Sequence, residues 1–325
     1  LEDAVEWAFL RYRLSPDWTV RAGRMGFDIY MLSEYRSLGF SYLWTRPPVE
    51  FYGPVAFDSF DGVDITYSTQ VGDGTMRAKL YSGKTKNNFL VLGTLQEIKL
   101  QPIYGASLSW ESDRWQLRLS VAPNRIDDNL QVFPGTEPLV EILQGLSPFW
   151  PDTQRYIERM VVDDPYVYYY AAGVSFNDKP WVIQSEIAYV DADLGMFPAM
   201  VNGYLSVGHQ FGETTLFGMV STVQEEGDRE VLSPAPVYPF PGMEMLNAQL
   251  AMMQQGLQML FDATHLNQTT YSTGLRWDVR YDLALKMQLD HSRVDAYASG
   301  LWDRSTTPAK DRALNTFSIN LNYVF

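Results

Sequence analysis

Basic side chains recur at every second position near the start of the chain. One residue separates Arg11 from Arg13 and Arg77 from Lys79, and Arg21 lies in the stretch between the two pairs. That spacing puts both members of a pair on one face of an extended segment. Residues 27–60 and the position just beyond them carry Glu34, Glu50, Asp58 and Asp61. Opposed rows of fixed basic and acidic groups create a field across the space between them, which is the chemistry of ion selection rather than of bond making. Covalent chemistry has little to draw on. There are no cysteines, which excludes a thiol nucleophile, a disulfide framework and a Cys-held metal. The histidines are His209, His265 and His291, and the first and last sit on apolar faces near strand ends, poor places for a catalytic triad. No His-rich metal motif, Walker loop or dinucleotide fingerprint occurs. The chain is therefore read as a non-enzyme without a cofactor. Carboxylates in 125–165 (Asp127, Asp128, Glu137, Glu141, Asp152, Glu158, Asp163, Asp164) leave Ca²⁺ open as a loop ligand, but no spaced Ca²⁺ motif is present and solvated loop charge is the preferred reading. A formal net charge of −14 argues against nucleic acid as a partner.

The elements that must position these groups are strands. At the end of the chain Phe317, Ile319, Leu321, Tyr323 and Phe325 fall on one face, and Thr316, Ser318, Asn320 and Asn322 on the other. The same period of two places Val63, Ile65 and Tyr67 opposite Asp64, Thr66 and Ser68, and Trp115, Leu117 and Leu119 opposite Gln116, Arg118 and Ser120. It also separates Trp181, Ile183 and Ile187 from Gln184 and Glu186, and Leu285, Met287 and Leu289 from Lys286, Gln288 and Asp290. Mean hydropathy is only −0.19, and no apolar run approaches the roughly 18 residues of a membrane helix. A barrel in a membrane escapes that test, because only alternate residues face lipid. A soluble sandwich would also alternate, so the connections matter.

Pairs of strands join through short turns at Ser15-Pro16-Asp17, Gly72-Asp73-Gly74, Ser112-Asp113-Arg114, Asn177-Asp178-Lys179, Gly212-Glu213 and Arg280-Tyr281-Asp282. Long segments at about 27–60, 84–102, 125–165, 225–268 and 295–313 separate the pairs. Short turns on one rim and long loops on the other is the outer-membrane arrangement. The fold expected is all-β, a single transmembrane antiparallel β-barrel domain over 1–325, with short periplasmic turns and long extracellular loops. About thirteen strands are countable, an odd number, and the first leads into a short turn. Single-chain bacterial barrels have even counts with both termini periplasmic, so an odd number of strands is expected to precede the first. In 243–263, Leu246, Leu250, Met253, Leu257 and Leu260 follow helical spacing behind Pro234, Pro236, Pro239 and Pro241, which predicts a helix inside a long loop. Its apolar stripe is read as packing on the barrel mouth or on other loops, with a plug or lid as the alternative.

Three features resemble the trimeric Gram-negative porins. The terminal strand, with Tyr323 third from the end and Phe325 last, looks like the signal read by the barrel-assembly machinery. Alternation with short and long connections runs through nearly the whole chain. Arg46-Pro47-Pro48-Val49-Glu50-Phe51-Tyr52-Gly53 resembles the Pro-Glu-Phe-Gly stretch of the loop that folds into the porin channel, with Val49 and Tyr52 as departures. The resemblance implies sixteen strands, three of them ahead of the first one visible, and makes 27–60 the constriction loop. It implies Glu50 and Asp58 on that loop facing Arg11, Arg13, Arg21 and Arg77 on the wall, with Lys79 and Glu34 in the same constriction. It further implies an outer-membrane protein of a Gram-negative cell that passes small hydrophilic solutes and ions. Lipid, lipopolysaccharide, the assembly machinery and two further copies of the chain would be its partners. A substrate-specific channel is the second reading, with Trp7, Tyr81, Tyr169 and Tyr204 as an aromatic track and the loops at 125–165 and 225–268 narrowing the pore. A barrel that sheathes a threaded partner is the third, and it requires a wide lumen without an inward loop.

Overall fold

The two-residue alternation becomes one antiparallel sheet. The computed structural model describes residues 5, 7–54, 57, 59–91, 94–126, 136–161, 166–192, 199–227, 229–301 and 309–324. Its thirteen strands each pair with their neighbours in chain order. They are β1 (Ala8–Arg13), β2 (Trp18–Gly26), β3 (Ser59–Val71), β4 (Gly74–Val91), β5 (Thr94–Glu111), β6 (Trp115–Ile126) and β7 (Tyr166–Asp178). Then follow β8 (Trp181–Asp191), β9 (Met200–Phe211), β10 (Thr214–Glu225), β11 (Asn267–Arg280), β12 (Leu283–Val294) and β13 (Arg312–Tyr323). β1 and β13 are the outer strands of this order.

Register settles which residues share a face. Arg11 lies opposite Arg21, Arg21 opposite Asp64, and Asp64 opposite Tyr81. Directly opposed residues of an antiparallel pair point to the same side, so this row runs along the inner face. The other face is apolar and open: Leu80, Leu119, Ile187, Leu216, Phe317, Ile319 and Leu321 are all exposed. In water this would be an apolar patch far beyond what a soluble monomer shows, whereas a bilayer requires it. Aromatic rings crowd the short-turn rim: Trp18 on Tyr67 at 4.9 Å, Trp115 on Phe176 at 4.6 Å, Trp181 on His209 at 4.7 Å. That is where amphipathic rings meet lipid headgroups. No helix among the described residues is long and apolar enough to cross a membrane.

Two long segments differ from the sequence reading. The stretch 84–102 is not a loop, because β4 and β5 continue as a hairpin that pairs out to Val91 opposite Thr94. A strand of about ten residues already spans a bilayer. Beyond it the apolar period that announces a strand disappears. Lys86 and Lys99 instead bracket Glu97 at 3.1 and 3.2 Å. Segment 125–165 contains α2 (Glu137–Leu146) and α3 (Thr153–Met160), and 225–268 contains α4 (Glu244–Thr264). Leu143, Trp150, Tyr156, Met160, Leu232, Leu250, Leu257 and Phe261 form one buried cluster, so α4 packs on other loops rather than serving as a plug. The cluster inside the sheet is separate and is built around residues 27–57.

Candidate functional site

Residues 27–54 leave β2 and cross the space inside the sheet. Their partners lie on nearly every strand they pass, so the sheet must curl around them. Asp28 pairs with Lys79 on β4 at 2.8 Å and Arg118 on β6 at 2.6 Å, and Ser107 on β5 donates to it at 3.0 Å. The backbone N–H of Met31 donates to Glu186 on β8 at 2.8 Å. Trp44 donates to Ser206 on β9 at 2.8 Å. The backbone N–H of Thr45 donates to Gln288 on β12 at 3.0 Å, and Arg46 donates to Ser318 on β13 at 3.0 Å. Close approach needs small wall residues: a Cβ on Gly173 would meet the Met31 sulfur at 2.6 Å.

A loop buried in this way cannot hydrate its own backbone, so the wall supplies the partners. Two carboxylates do so with neutral donors. Glu50, on the short α1 (Val49–Tyr52), accepts from Ser221 and Gln268, each at 2.6 Å, and from Thr270. Glu186 accepts from Met31, from Tyr204 at 2.7 Å, and from Tyr52. Burial, and after it Glu186, pushes the Tyr52 phenol well above its ordinary value, which keeps it a donor. Asp28 is the opposite case. Burial alone would raise its pKa, but Lys79 and Arg118 outweigh burial and hold the carboxyl well below the usual carboxylate range. Rings fill the remaining space. Tyr30 meets Phe51, Tyr52 and Tyr169 at 5.1 to 5.7 Å, and Phe51 meets Tyr204 at 5.3 Å.

The wet part of the interior lies toward β1 to β4. Glu34, half exposed on the loop, reaches Arg21 at 3.3 Å and Lys79 at 3.4 Å. Arg21 also pairs with Asp64 at 2.6 Å, and Arg77 with Glu111 at 2.7 Å. Arg11 and Arg13 share the inner face with Arg21 and Thr19, are exposed, and have no partner among the described residues. Loop and wall therefore do oppose acid to base here, through Glu34 with Arg21 and Lys79.

Other expected positions differ. Glu50 does not face the arginines; its peptide runs against β9 to β11, where Asn202 donates to the Phe51 carbonyl at 3.0 Å. Asp61 is on the outward face, paired with Arg24 at 2.8 Å, because β3 begins at Ser59 and parity turns Asp61 away from Asp64. Asp58 and Phe325 lie outside the described residues, and Tyr323 ends β13 with an outward, exposed ring. Tyr81, Tyr169 and Tyr204 are buried against the loop instead of lining a track, and only Trp7 of that set is exposed. Asp127, Asp128, Asp163 and Asp164 are also outside the described residues, and among those described no group of three or more His, Asp or Glu is arranged to hold a metal. The sequence reading did not single out Asp28, Glu186, Lys286 or Arg276. Parity had placed Glu186 and Lys286 inward, but the loop has no period that would show what they meet.

An antiparallel sheet with an apolar exterior, wrapped around a polar-anchored inward loop, has the architecture of an outer-membrane β-barrel wall. No protein-family model matches the chain, and no curated protein matches it by sequence. Solved structures do match in fold. The outer-membrane channel DcaP of Acinetobacter baumannii superposes with a TM-score of 0.50 at 11% identity, over 95% of this chain and 72% of that one. An anion-selective porin from Comamonas acidovorans superposes with a TM-score of 0.52 at 11% identity, over 94% of this chain and 74% of that one. At such identity the likeness establishes the fold, and this chain has it.

Proposed function

We propose that the protein is a porin of the Gram-negative outer membrane that lets small hydrophilic solutes and ions diffuse through a water-filled lumen. The observation that carries this reading is the wet charged strip where Glu34 on the inward loop faces Arg21 and Lys79 on the wall. A loop that narrows the interior and sets a transverse field across what remains is the means by which a passive channel selects by size and charge. Arg11 and Arg13 add unpaired positive charge to the same strip among the described residues, which favours anions. The sheath reading needs an empty lumen, and the inward loop speaks against it. The aromatic-track reading loses its three tyrosines to the loop's packing. Outer-membrane lipid and lipopolysaccharide around the apolar band, the assembly machinery at the terminal strand, and two further copies of the chain are the partners this reading carries. Passive diffusion uses no covalent step, so no catalytic group is assigned. Single-channel recording of the refolded protein in planar bilayers tests it: ohmic steps, in threes for a trimer, are expected. Inserted, folded protein that passes no current refutes it.

A further inference from the structure

Lys286 sits in the middle of β12 and is fully buried. Its ammonium donates to three backbone carbonyls of the inward loop: Gly39 at 2.5 Å, Trp44 at 2.9 Å, and Tyr42. The Tyr42 ring lies beneath the ammonium at 4.5 Å. No carboxylate pairs with Lys286 within salt-bridge distance among the described residues. Its neighbour Arg276, opposite it on β11, donates to the Phe40 carbonyl at 2.8 Å and the Tyr42 carbonyl at 3.1 Å. Arg276 does have a carboxylate, Asp278 at 2.8 Å.

A buried ammonium with no anion beside it costs several kcal/mol unless dipoles replace its water. The reverse also holds. Carbonyls 39, 42 and 44 converge on one point inside the barrel, where water is excluded; Arg276 also serves Tyr42, but the Gly39 and Trp44 carbonyls take their hydrogen bonds from Lys286 and without it would be left to repel their neighbours. The segment around the 3-10 turn Gly39–Ser41 has no regular structure to satisfy them internally. Neutral anchors hold the segment further along, at Thr45–Gln288 and Trp44–Ser206, but none of them reaches the turn.

We infer that Lys286 is a positioning residue. Its ammonium occupies a three-carbonyl cage and thereby sets where residues 39–44 stand in the lumen and how wide the passage beside them is. The cage accepts an N–H-bearing monovalent cation, so a small primary ammonium ion can replace the side chain once it is shortened. The inference rests on the diffusion reading above.

The test is single-channel recording of wild type and Lys286→Ala, with insertion-competent folding checked by the gel shift between boiled and unboiled protein. Loosening the segment adds no matter to the lumen, so the variant is expected to conduct about two-fold more, with a larger solute cut-off and more open-channel noise. Propylammonium is expected to restore the wild-type level, and tetramethylammonium, of equal charge but without N–H donors, to leave the variant as it is. That pair of ions separates a carbonyl cage from general charge loss or general weakening. If Lys286→Ala does not fold, Lys286→Arg serves: a planar guanidinium cannot bring one nitrogen within bonding distance of all three carbonyls, and conductance again rises. Unchanged or reduced conductance in a folded variant, or equal action of the two ions, overturns the inference. Absence of current from wild type would instead overturn the diffusion reading.

Discussion

Replacing Glu34 by Gln tests where the current flows. Glu34 is half exposed and touches Arg21 and Lys79 at 3.3 and 3.4 Å, so its charge stands beside the wet strip rather than inside the packed loop. An ion passing about 4 Å away in water feels roughly 1 kcal/mol from one charge, with opposite sign for anion and cation, a difference of about 2 kcal/mol. At about 0.1 M salt the Debye length is roughly 10 Å, and over about 4 Å screening leaves about two-thirds of that difference, roughly 1.3 kcal/mol. Glu34→Gln should therefore raise the anion-over-cation permeability ratio about nine-fold, since 1.4 kcal/mol is a factor of about ten. Arg21 and Lys79 keep Asp64 and Asp28 but each loses its second acid, which acts in the same direction. The fold should hardly notice, because an exposed ion pair contributes at most about 1 kcal/mol. Reversal potentials across a bilayer under a salt gradient give the ratio directly. Glu111→Gln, whose side chain pairs with Arg77 at the end of β5, serves as the control and should move the potential less. An unchanged reversal potential in inserted Glu34→Gln would mean that ions do not pass Glu34, and the site as drawn would be wrong.

Arg11→Ala with Arg13→Ala should shift the reversal potential the other way, toward cations, with conductance altered little; no shift would remove these two from the ion path. Glu50→Ala leaves the Ser221 and Gln268 donors without their acceptor at a buried site, while Thr270 keeps Ser292 at 2.7 Å; at about 1–3 kcal/mol per orphaned group, offset by any water admitted, the barrel should lose about 2–5 kcal/mol, read as a lower urea midpoint in vesicles. A midpoint equal to wild type would show that α1 is not held there. At the long-loop rim His265 bonds Glu225 at 2.6 Å, and this bond raises the histidine above its ordinary value although burial opposes it. The groups around it are Asp262, Arg229, Glu230 and Arg159, with Asn267 bonding its other ring nitrogen. A raised folded pKa contributes stability that is complete below the unfolded value of about 6.5 and is lost as pH climbs through the folded one. Amides at 262–268 should therefore exchange hydrogen faster at pH 9 than at pH 6 after correction for intrinsic rates, and His265→Asn should abolish the difference.

The strands were legible because lipid on one side and water or loop on the other impose a strict period of two. β13 shows it residue by residue from Phe317 to Tyr323. The legibility ends where the two-sided environment ends. β4 and β5 run on as a hairpin past the length a bilayer needs, where the apolar alternation lapses, and 84–102 therefore reads like loop. α2 and α3 were missed for a related reason. Each is ten residues or fewer, too short for its apolar spacing to stand out, and both are ordered by packing on α4, whose 21 residues did show a period. In the lumen, parity identified which side chains point inward, but an irregular loop carries no periodic signal of what it will touch. The stretch around Glu50 lies inside the sheet, and Glu50 is turned away from the arginines it was expected to oppose. Its carboxylate is spent on hydroxyl and amide donors of β10 and β11 and has no arginine to oppose.

That placement separates two kinds of lumenal charge. Glu50, Glu186, Lys286 and Arg276 are bonded chiefly to neutral groups or to the loop's backbone, where water is excluded and a lost partner is expensive. Glu34, Arg11, Arg13, Arg21 and Lys79 lie toward the wet strip, where charges see ions and one another through water. Changes in the first group should alter conductance, solute cut-off and stability together, because they move matter. Changes at Glu34, Arg11 and Arg13 should alter ion preference at nearly constant conductance and stability, because they move only field. Lys79 bridges the groups, pairing with both buried Asp28 and exposed Glu34. Lys79→Met should accordingly shift the reversal potential toward cations and lower the urea midpoint in the same variant. A Lys79→Met protein with only one of the two effects would show that the loop's anchor at Asp28 and the field at Glu34 are independent of each other.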